Sequence, residues 1–380
     1  MSEGIYHRLG TKPVINGLGI YTDLGGSRLS PTVWAAMEEA NRSFARMPEL
    51  LETSGRMLAH LLGSESARVT PGASSAIAMA IAACMTGTDA RKMEQLPDVT
   101  SMPSQVLIQR RHRYKYDRMV RMTGAELIEV GNVNGTEPEE LEAAISERTA
   151  AIFVPAHLDA IEGTVPLEVL ATIAHARDIP TVVDAAYLNF PVEVMSSFTR
   201  RGADLAIFSA KYFMGPNTGG VICGRGDLID AVAGVDFTRF EASKYLAFGR
   251  PFKLDRQLVV GVVEALRVWL TMDHRQRFAG YQAAVRTIVG FLEDLEGLEL
   301  TPMSFTMAET LEPEPVNCLR IRPLDRAEIA AQVVGNLAAG DPSILVHEID
   351  RTIVADVECV SMEEAEVIGK RLHEELVAVT

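Results

Sequence analysis

The stretch FSAKYFMGPNTGG, residues 208–220, decides how this chain is read. The run from Ala203 to Phe208 is apolar except for Asp204 and reads as a buried strand. That strand delivers Lys211 to its end, and glycine-rich turn chemistry follows at once. A lysine in such a position is either an exposed loop charge or a buried amine placed to react. What else the chain brings to its strand ends decides between the two.

Working outward, short apolar runs alternate with amphipathic segments from residue 65 onward. ARVT (67–70) reads as a strand, SSAIAMAIAACM (74–85) as a helix and QVLIQ (105–109) as a strand. YDRMVRMTG (116–124) reads as a helix stopped by its glycine, and ELIEV (126–130) as a strand. TEPEELEAAI (136–145) opens like a helix capped by Thr136. AAIFVPA (150–156), PLEVLATIAHARD (166–178), TVVDAA (181–186), ADLAIFSA (203–210) and TGGVICG (218–224) continue the alternation. Several strands are apolar throughout, which predicts an α/β fold with a mainly parallel sheet covered on both faces.

The texture changes after about residue 255. Two long helical patterns (255–272 and 277–295) precede a tail whose alternation suits a small α+β domain. The expected organisation is therefore 1–60 as an N-terminal arm with helices joining the small domain or a dimer interface, and 61–255 as the large domain. Residues 256–297 form the linking helices and 298–380 the small C-terminal α+β domain. Ser30 followed by Pro31 predicts an N-cap with proline at the first helical position.

Composition narrows the functional class. The 380 residues carry a net charge of −15, which opposes a nucleic-acid partner. One basic cluster stands against that balance, QRRHRYKYDRMVR (109–121); it reads as a solvated face, an anion patch or an active-site segment. No apolar run approaches the roughly 20 residues of a membrane span, and the N-terminus has no secretion-signal pattern. Four cysteines lie far apart without a C-x-x-C pair, so no metal site is expected and reduced thiols in a cytoplasm fit best.

Ligands of open α/β sheets bind outside the carboxyl ends of the strands. After ARVT comes PGASSA, a turn and small residues that aim backbone N–H groups at an anion. Asp184 follows the strand at 181, and Lys211 follows the strand at 203. Each feature alone has an ordinary reading: close helix packing, a helix-capping carboxylate, a loop charge. Together they match what pyridoxal 5′-phosphate needs: a phosphate cup, an acid for the ring nitrogen and an amine for the Schiff base. An unperturbed lysine, with a pKa near 10.4, is protonated at neutral pH; burial and a neighbouring cation free the amine.

The segments YHRLGTKPVINGLGIYTDLGGSRLSP, VTPGASSAIAMAIAACMTG, HRYKYDRMVRMTGAELIEVG, VVDAA and FSAKYFMGPNTGG together resemble fold-type-I pyridoxal-phosphate-dependent enzymes. The nearest resemblance is to the selenocysteine-synthase-like group, which includes seryl-tRNA selenium transferases and D-glucosaminate-6-phosphate ammonia-lyases. It implies a mainly parallel seven-stranded sheet flanked by helices, with a smaller C-terminal α+β domain. Lys211 resembles the Schiff-base lysine and Asp184 the pyridinium partner. Gly72, Ala73 and Ser74 resemble the phosphate cup, and Ser209 a further phosphate hydroxyl. His112 resembles the residue over the cofactor ring; Arg250 and Lys253 resemble a basic segment near the active site, or one reaching it from a second subunit. Two departures stand out: Ser209-Ala210-Lys211 replaces the usual Ser-Gly-Gly-Lys, and His347 stands where related chains often carry arginine.

The implied activity is a lyase acting on a small amino acid or amino sugar acid with a polar β-substituent, by Cα deprotonation, α,β-elimination and ammonia release. Aldolase, racemase and aminotransferase chemistry use the same carbanion and remain alternatives. Selenium transfer on an aminoacyl-tRNA and a cofactor-free scaffold are the remote ones. Elimination needs an acid at the β-oxygen, for which His112 is the first candidate, ahead of His157 and Tyr187. The resemblance also implies a homodimer or a larger even-numbered assembly.

Overall fold

The computed structural model describes residues 4–242, 245–324, 326 and 328–379. In chain order its strands are β1 (Val14–Gly17), β2 (Ser66–Thr70), β3 (Gln105–Gln109), β4 (Glu126–Val130), β5 (Thr149–Pro155), β6 (Thr181–Asp184) and β7 (Leu205–Ser209). There follow β8 (Gly220–Gly224), β9 (Leu298–Phe305), β10 (Leu311–Glu312), β11 (Cys318–Pro323), β12 (Ser343–Ile349) and β13 (Thr352–Asp356). The chain forms two compact units: one spans Leu29–Thr271, and the other joins the residues up to Arg28 with those from Met272 onward. The division falls between the long helices Arg256–Thr271 and His274–Leu292.

In the unit Leu29–Thr271 seven strands pair in the order β2-β8-β7-β6-β5-β3-β4. From β4 to β7 every pairing is parallel. Strand β8 runs antiparallel to both β7 and β2, so β2 runs in the same direction as β7. Every residue of β5, β6, β7 and β8 is buried, as expected for strands covered on both faces. The helix Ala73–Thr86 is buried from Ala76 to Ala83. A helix that is apolar all round belongs inside a core, and its alanines let it lie close to the sheet.

Its entry is tightly constrained. Gly72 has φ +85°, a left-handed value that lets the chain turn from β2 into the helix. Thr70, Gly220 and Ser209 share one register row across β2, β8 and β7. A β-carbon on Gly220 would lie 2.7 Å from the Gly72 carbonyl carbon and 3.0 Å from Ala73 N. The absence of a side chain there allows the helix start to rest on the sheet.

Local chemistry matches the sequence in some places and not in others. Ser30 Oγ accepts from Val33 N at 3.3 Å at the head of the helix Pro31–Asn41, as its N-cap pattern predicts. The 116–124 segment is instead a 3₁₀ run, Asp117–Thr123, because Asp117 is drawn inward to accept from Tyr114 N (3.1 Å) and pair with Arg113. The helix expected to be capped by Thr136 begins at Pro138, with Glu137 and Glu140 forming the capping box. Thr136 Oγ1 donates to the Val130 carbonyl at 3.1 Å.

The second unit holds a six-stranded sheet of order β1-β12-β13-β11-β9-β10, in which β1 pairs parallel to β12 and the rest are antiparallel. Helices His274–Leu292, Ile329–Ala339 and Met362–Val379 contribute Ile288, Leu337 and Leu372 to its core. Residues 14–17, within the segment expected to be an N-terminal arm with helices, form an edge strand here.

Gly220→Ala is expected to destabilise the fold by roughly 1–3 kcal/mol, the cost of overpacking a site with no room to relax. A lowered urea unfolding midpoint would report it; an unchanged midpoint would contradict the close approach.

Candidate active site

Strands β6 and β7 are parallel neighbours, with Asp184 opposite Ile207. Asp184 closes β6 and is 5% exposed; Lys211 lies two residues beyond the end of β7, in the 3₁₀ turn Ala210–Phe213, and is 7% exposed. Hence a buried carboxylate and a buried amine emerge from adjacent strand ends. Asp184 Oδ1 accepts from Ala186 N at 3.0 Å, and Asp184 Oδ2 accepts from the Tyr114 hydroxyl.

A row of rings connects the two. Tyr114 follows β3, His157 follows β5, Tyr187 follows β6 and Tyr212 follows β7. Their centroids are 5.3 Å apart for Tyr114–His157, 5.4 Å for His157–Tyr187 and 6.0 Å for Tyr187–Tyr212. Lys211 Nζ lies 4.8 Å from the Tyr212 ring centroid, within the range of a cation–π contact.

Burial sets the electrostatics. It pushes the Asp184 carboxyl above the usual carboxylate range, and the bonds from Tyr114 and Ala186 oppose that rise. Burial, and then the charge of Asp184, raise the Tyr114 phenol far above its ordinary value. The same two causes push Tyr187 up to about 12. Burial lowers the pKa of His157. Both phenols hold their protons at neutral pH, and His157 favours its neutral form.

Beside this group lies the start of the helix Ala73–Thr86. Gly72 caps it without a side-chain hydrogen bond, and Ala73, Ser74 and Ser75 are only half-buried. The first N–H groups of a helix have no intrahelical partner, so this end offers donors and a positive dipole to an anion. Ser209, one strand pairing from Gly220, stands next to it.

The remaining sequence candidates lie elsewhere. His112 is 0% exposed, and its Nδ1 faces Gln109 Nε2 at 3.4 Å. Burial pushes its pKa down to about 4, so the ring favours its neutral form at pH 7, which weakens it as a proton donor. Its ring is enclosed in the fold. Arg250 pairs with Glu241 at 2.6 Å, and Lys253 is exposed; neither bonds Asp184 or Tyr114 within the chain. His347 belongs to the second unit, where Nε2 lies 3.0 Å from the Leu18 carbonyl and the ring 4.5 Å from Phe305. Part of the basic cluster is paired: Arg113 with Asp117 and Glu129, and Arg110 with Glu129 at 3.8 Å, while Arg111 donates to the Glu162 carbonyl. Tyr114 was the residue missed. Its signal was its place two residues past His112, in the loop leaving β3.

A family model described as L-seryl-tRNA selenium transferase (SelA) matches residues 14–247. The chain belongs to this family. This SelA-family chain is 30% identical over 379 residues to a 5′-C-glycyluridine monooxygenase-decarboxylase from a Streptomyces species, covering 97% of this chain and 91% of that protein. It is 33% identical over 272 residues to the D-glucosaminate-6-phosphate ammonia lyase of Salmonella typhimurium, covering 70% of each. A solved D-glucosaminate-6-phosphate ammonia-lyase matches with TM-score 0.85 and 27% identity over 100% of this chain and 99% of that one. A serine palmitoyltransferase from S. paucimobilis solved with bound PLP shares the fold, with TM-score 0.54 and 15% identity over 97% and 89%. The SelA-family chain therefore has the fold of fold-type-I pyridoxal-phosphate enzymes. Its relatives are named as enzymes, and the likeness to the ammonia lyase supports a lyase.

The depressed His112 pKa has a consequence for stability. Between pH 6.5 and about 4 the unfolded chain gains a proton at His112 that the folded chain refuses, so stability falls as pH drops through that window. The ring protons of His112 should titrate near 4 by NMR; a midpoint near 6.5 would show the imidazole to be open to water.

Proposed function

We propose that this chain is a pyridoxal-phosphate-dependent lyase that releases ammonia from a small amino acid or amino sugar acid bearing a polar β-substituent. The observation that carries this reading is the grouping of Asp184, Lys211 and the helix start at Gly72 at the ends of β6, β7 and β2. Full-length likeness to a solved ammonia-lyase supports it.

The residues fit the cofactor by their own chemistry. Gly72, Ala73 and Ser74, with Ser209, would hold the phosphate, because an uncapped helix start and hydroxyls suit a dianion. Asp184, a buried acid that already accepts two hydrogen bonds, would hold the ring nitrogen. Lys211 would bind the carbonyl carbon. When bound, the group supplies an electron sink that acidifies the Cα–H of an amino acid joined to it.

The chain's own part is proton handling and enclosure. Lys211 Nζ, buried beside Tyr212, is the base for the Cα proton. The Tyr187 hydroxyl, which keeps its proton at neutral pH, is the donor to a leaving β-oxygen, its ring packed against the His157 ring at a centroid distance of 5.4 Å. The aromatic row shields these transfers from water. Arg250 and Lys253 would complete a neighbouring subunit's site in a homodimer or larger even-numbered assembly. Exposed Trp34, Phe44 and Met57 support such a contact. A net charge of −15 speaks for a small-molecule substrate over tRNA. Four cysteines without disulfide partners suit a cytoplasmic enzyme, and no helix among the described residues is long and apolar enough to cross a membrane.

The match to the Streptomyces protein over nearly the whole chain favours a second reading, oxygen-dependent decarboxylation of an amino acid. The two relatives' names share an amino acid carried on a sugar framework, so that class is the one to assay.

Borohydride treatment of the loaded enzyme should fix the cofactor to Lys211, and Lys211→Ala should lose the adduct; an adduct on another lysine would reject the assignment. With amino sugar acids, ammonia and a keto acid are expected without oxygen uptake. Stoichiometric oxygen uptake with carbon dioxide release would favour the second reading, and an aldehyde without ammonia would favour an aldolase.

A further inference from the structure

Tyr114 is fixed between two rings beside Asp184. Its ring is bracketed by Phe153, stacked at 6.3 Å, and His157, edge-on at 5.3 Å. Both come from β5 or its exit. The hydroxyl is thereby held on Asp184 Oδ2. An ionised carboxylate has about four lone-pair directions, of which Tyr114 and Ala186 N occupy two. The carboxylate therefore retains acceptor capacity for a further N–H donor.

The phenol acts in one direction only. Burial and the neighbouring carboxylate both oppose its ionisation, so the phenol keeps its proton and donates it in the bond to an ionised Asp184. A donated bond favours the charged form of an acid, and a bond to an ionised group is about twice as strong as a neutral one. Asp184 is otherwise pushed toward its neutral form by its burial. Only one of its supporting bonds is a side-chain bond that substitution can remove.

We propose that Tyr114 is a positioning residue that acts through Asp184: by bonding Oδ2 it keeps the carboxylate ionised, so that the shared proton resides on the ring nitrogen of bound pyridoxal phosphate. This rests on the cofactor reading above. The alternative role for the side chain, a packing element of the aromatic row, would be served equally by phenylalanine.

The test compares wild type, Tyr114→Phe, Asp184→Asn and the double variant. Each is loaded with pyridoxal phosphate labelled with ¹⁵N in the ring, and the nitrogen resonance and cofactor affinity are both read. Wild type is expected to show the protonated shift. Tyr114→Phe keeps the ring packing and should move the shift toward the unprotonated value and weaken binding roughly tenfold. In the Asp184→Asn background the same change should have no further effect on either readout. An unchanged shift in Tyr114→Phe, or an equal loss of affinity in both backgrounds, overturns the role of Tyr114. Failure of the wild-type protein to take up the cofactor overturns instead the reading on which it rests.

Discussion

An acid and an amine are held out of water at the ends of two adjacent parallel strands, and much of the unit Leu29–Thr271 is organised around that constraint. Removing a polar or charged group from water is costly unless it is paired or hydrogen-bonded. Asp184 meets the requirement through the Ala186 N–H and the Tyr114 hydroxyl. The turn that carries Lys211 is anchored separately. Asn189 Nδ2 donates to the Tyr212 carbonyl, and Trp269 Nε1 donates to the Asn189 carbonyl at 2.9 Å, which ties the turn to the helix Arg256–Thr271. The amine therefore hangs from a strand on one side and from a helix on the other.

The same constraint explains the composition of the surroundings. The carboxyl edge of the sheet is lined with phenols and an imidazole, which pack like apolar side chains yet keep a polar tip. Guanidinium groups near it are turned to other partners: Arg113 to Asp117 and Glu129, Arg111 to a backbone carbonyl. A basic stretch that looks in sequence like a surface for anions thus commits part of its charge to internal pairing. The helix start at Gly72 adds backbone donors without intrahelical partners to this edge.

The main architecture was legible because its signals are local. Apolar runs gave the buried strands, and the placement of Asp184, Lys211 and the Gly72 turn after such runs brought them to one edge. What escaped depends on packing across the sheet. β8 alone of the seven strands runs against the others, and nothing in VICG encodes that. His112 and Tyr114 are two residues apart in one loop, and only the fold decides that the first is enclosed while the second meets Asp184. Strand β1 carries little local signal, because its pairing partner, β12, begins more than three hundred residues later.

The strand order β2-β8-β7-β6 also imposes a succession. The helix start lies beyond β2, the amine follows β7 and the carboxylate ends β6, so anion donors, amine and acid stand in a fixed order along one edge. Order thereby adds to charge as a condition on a ligand. A molecule that engaged all three would need its anion, its electrophilic carbon and its basic nitrogen arranged in that same succession, with the last two meeting neighbouring strands.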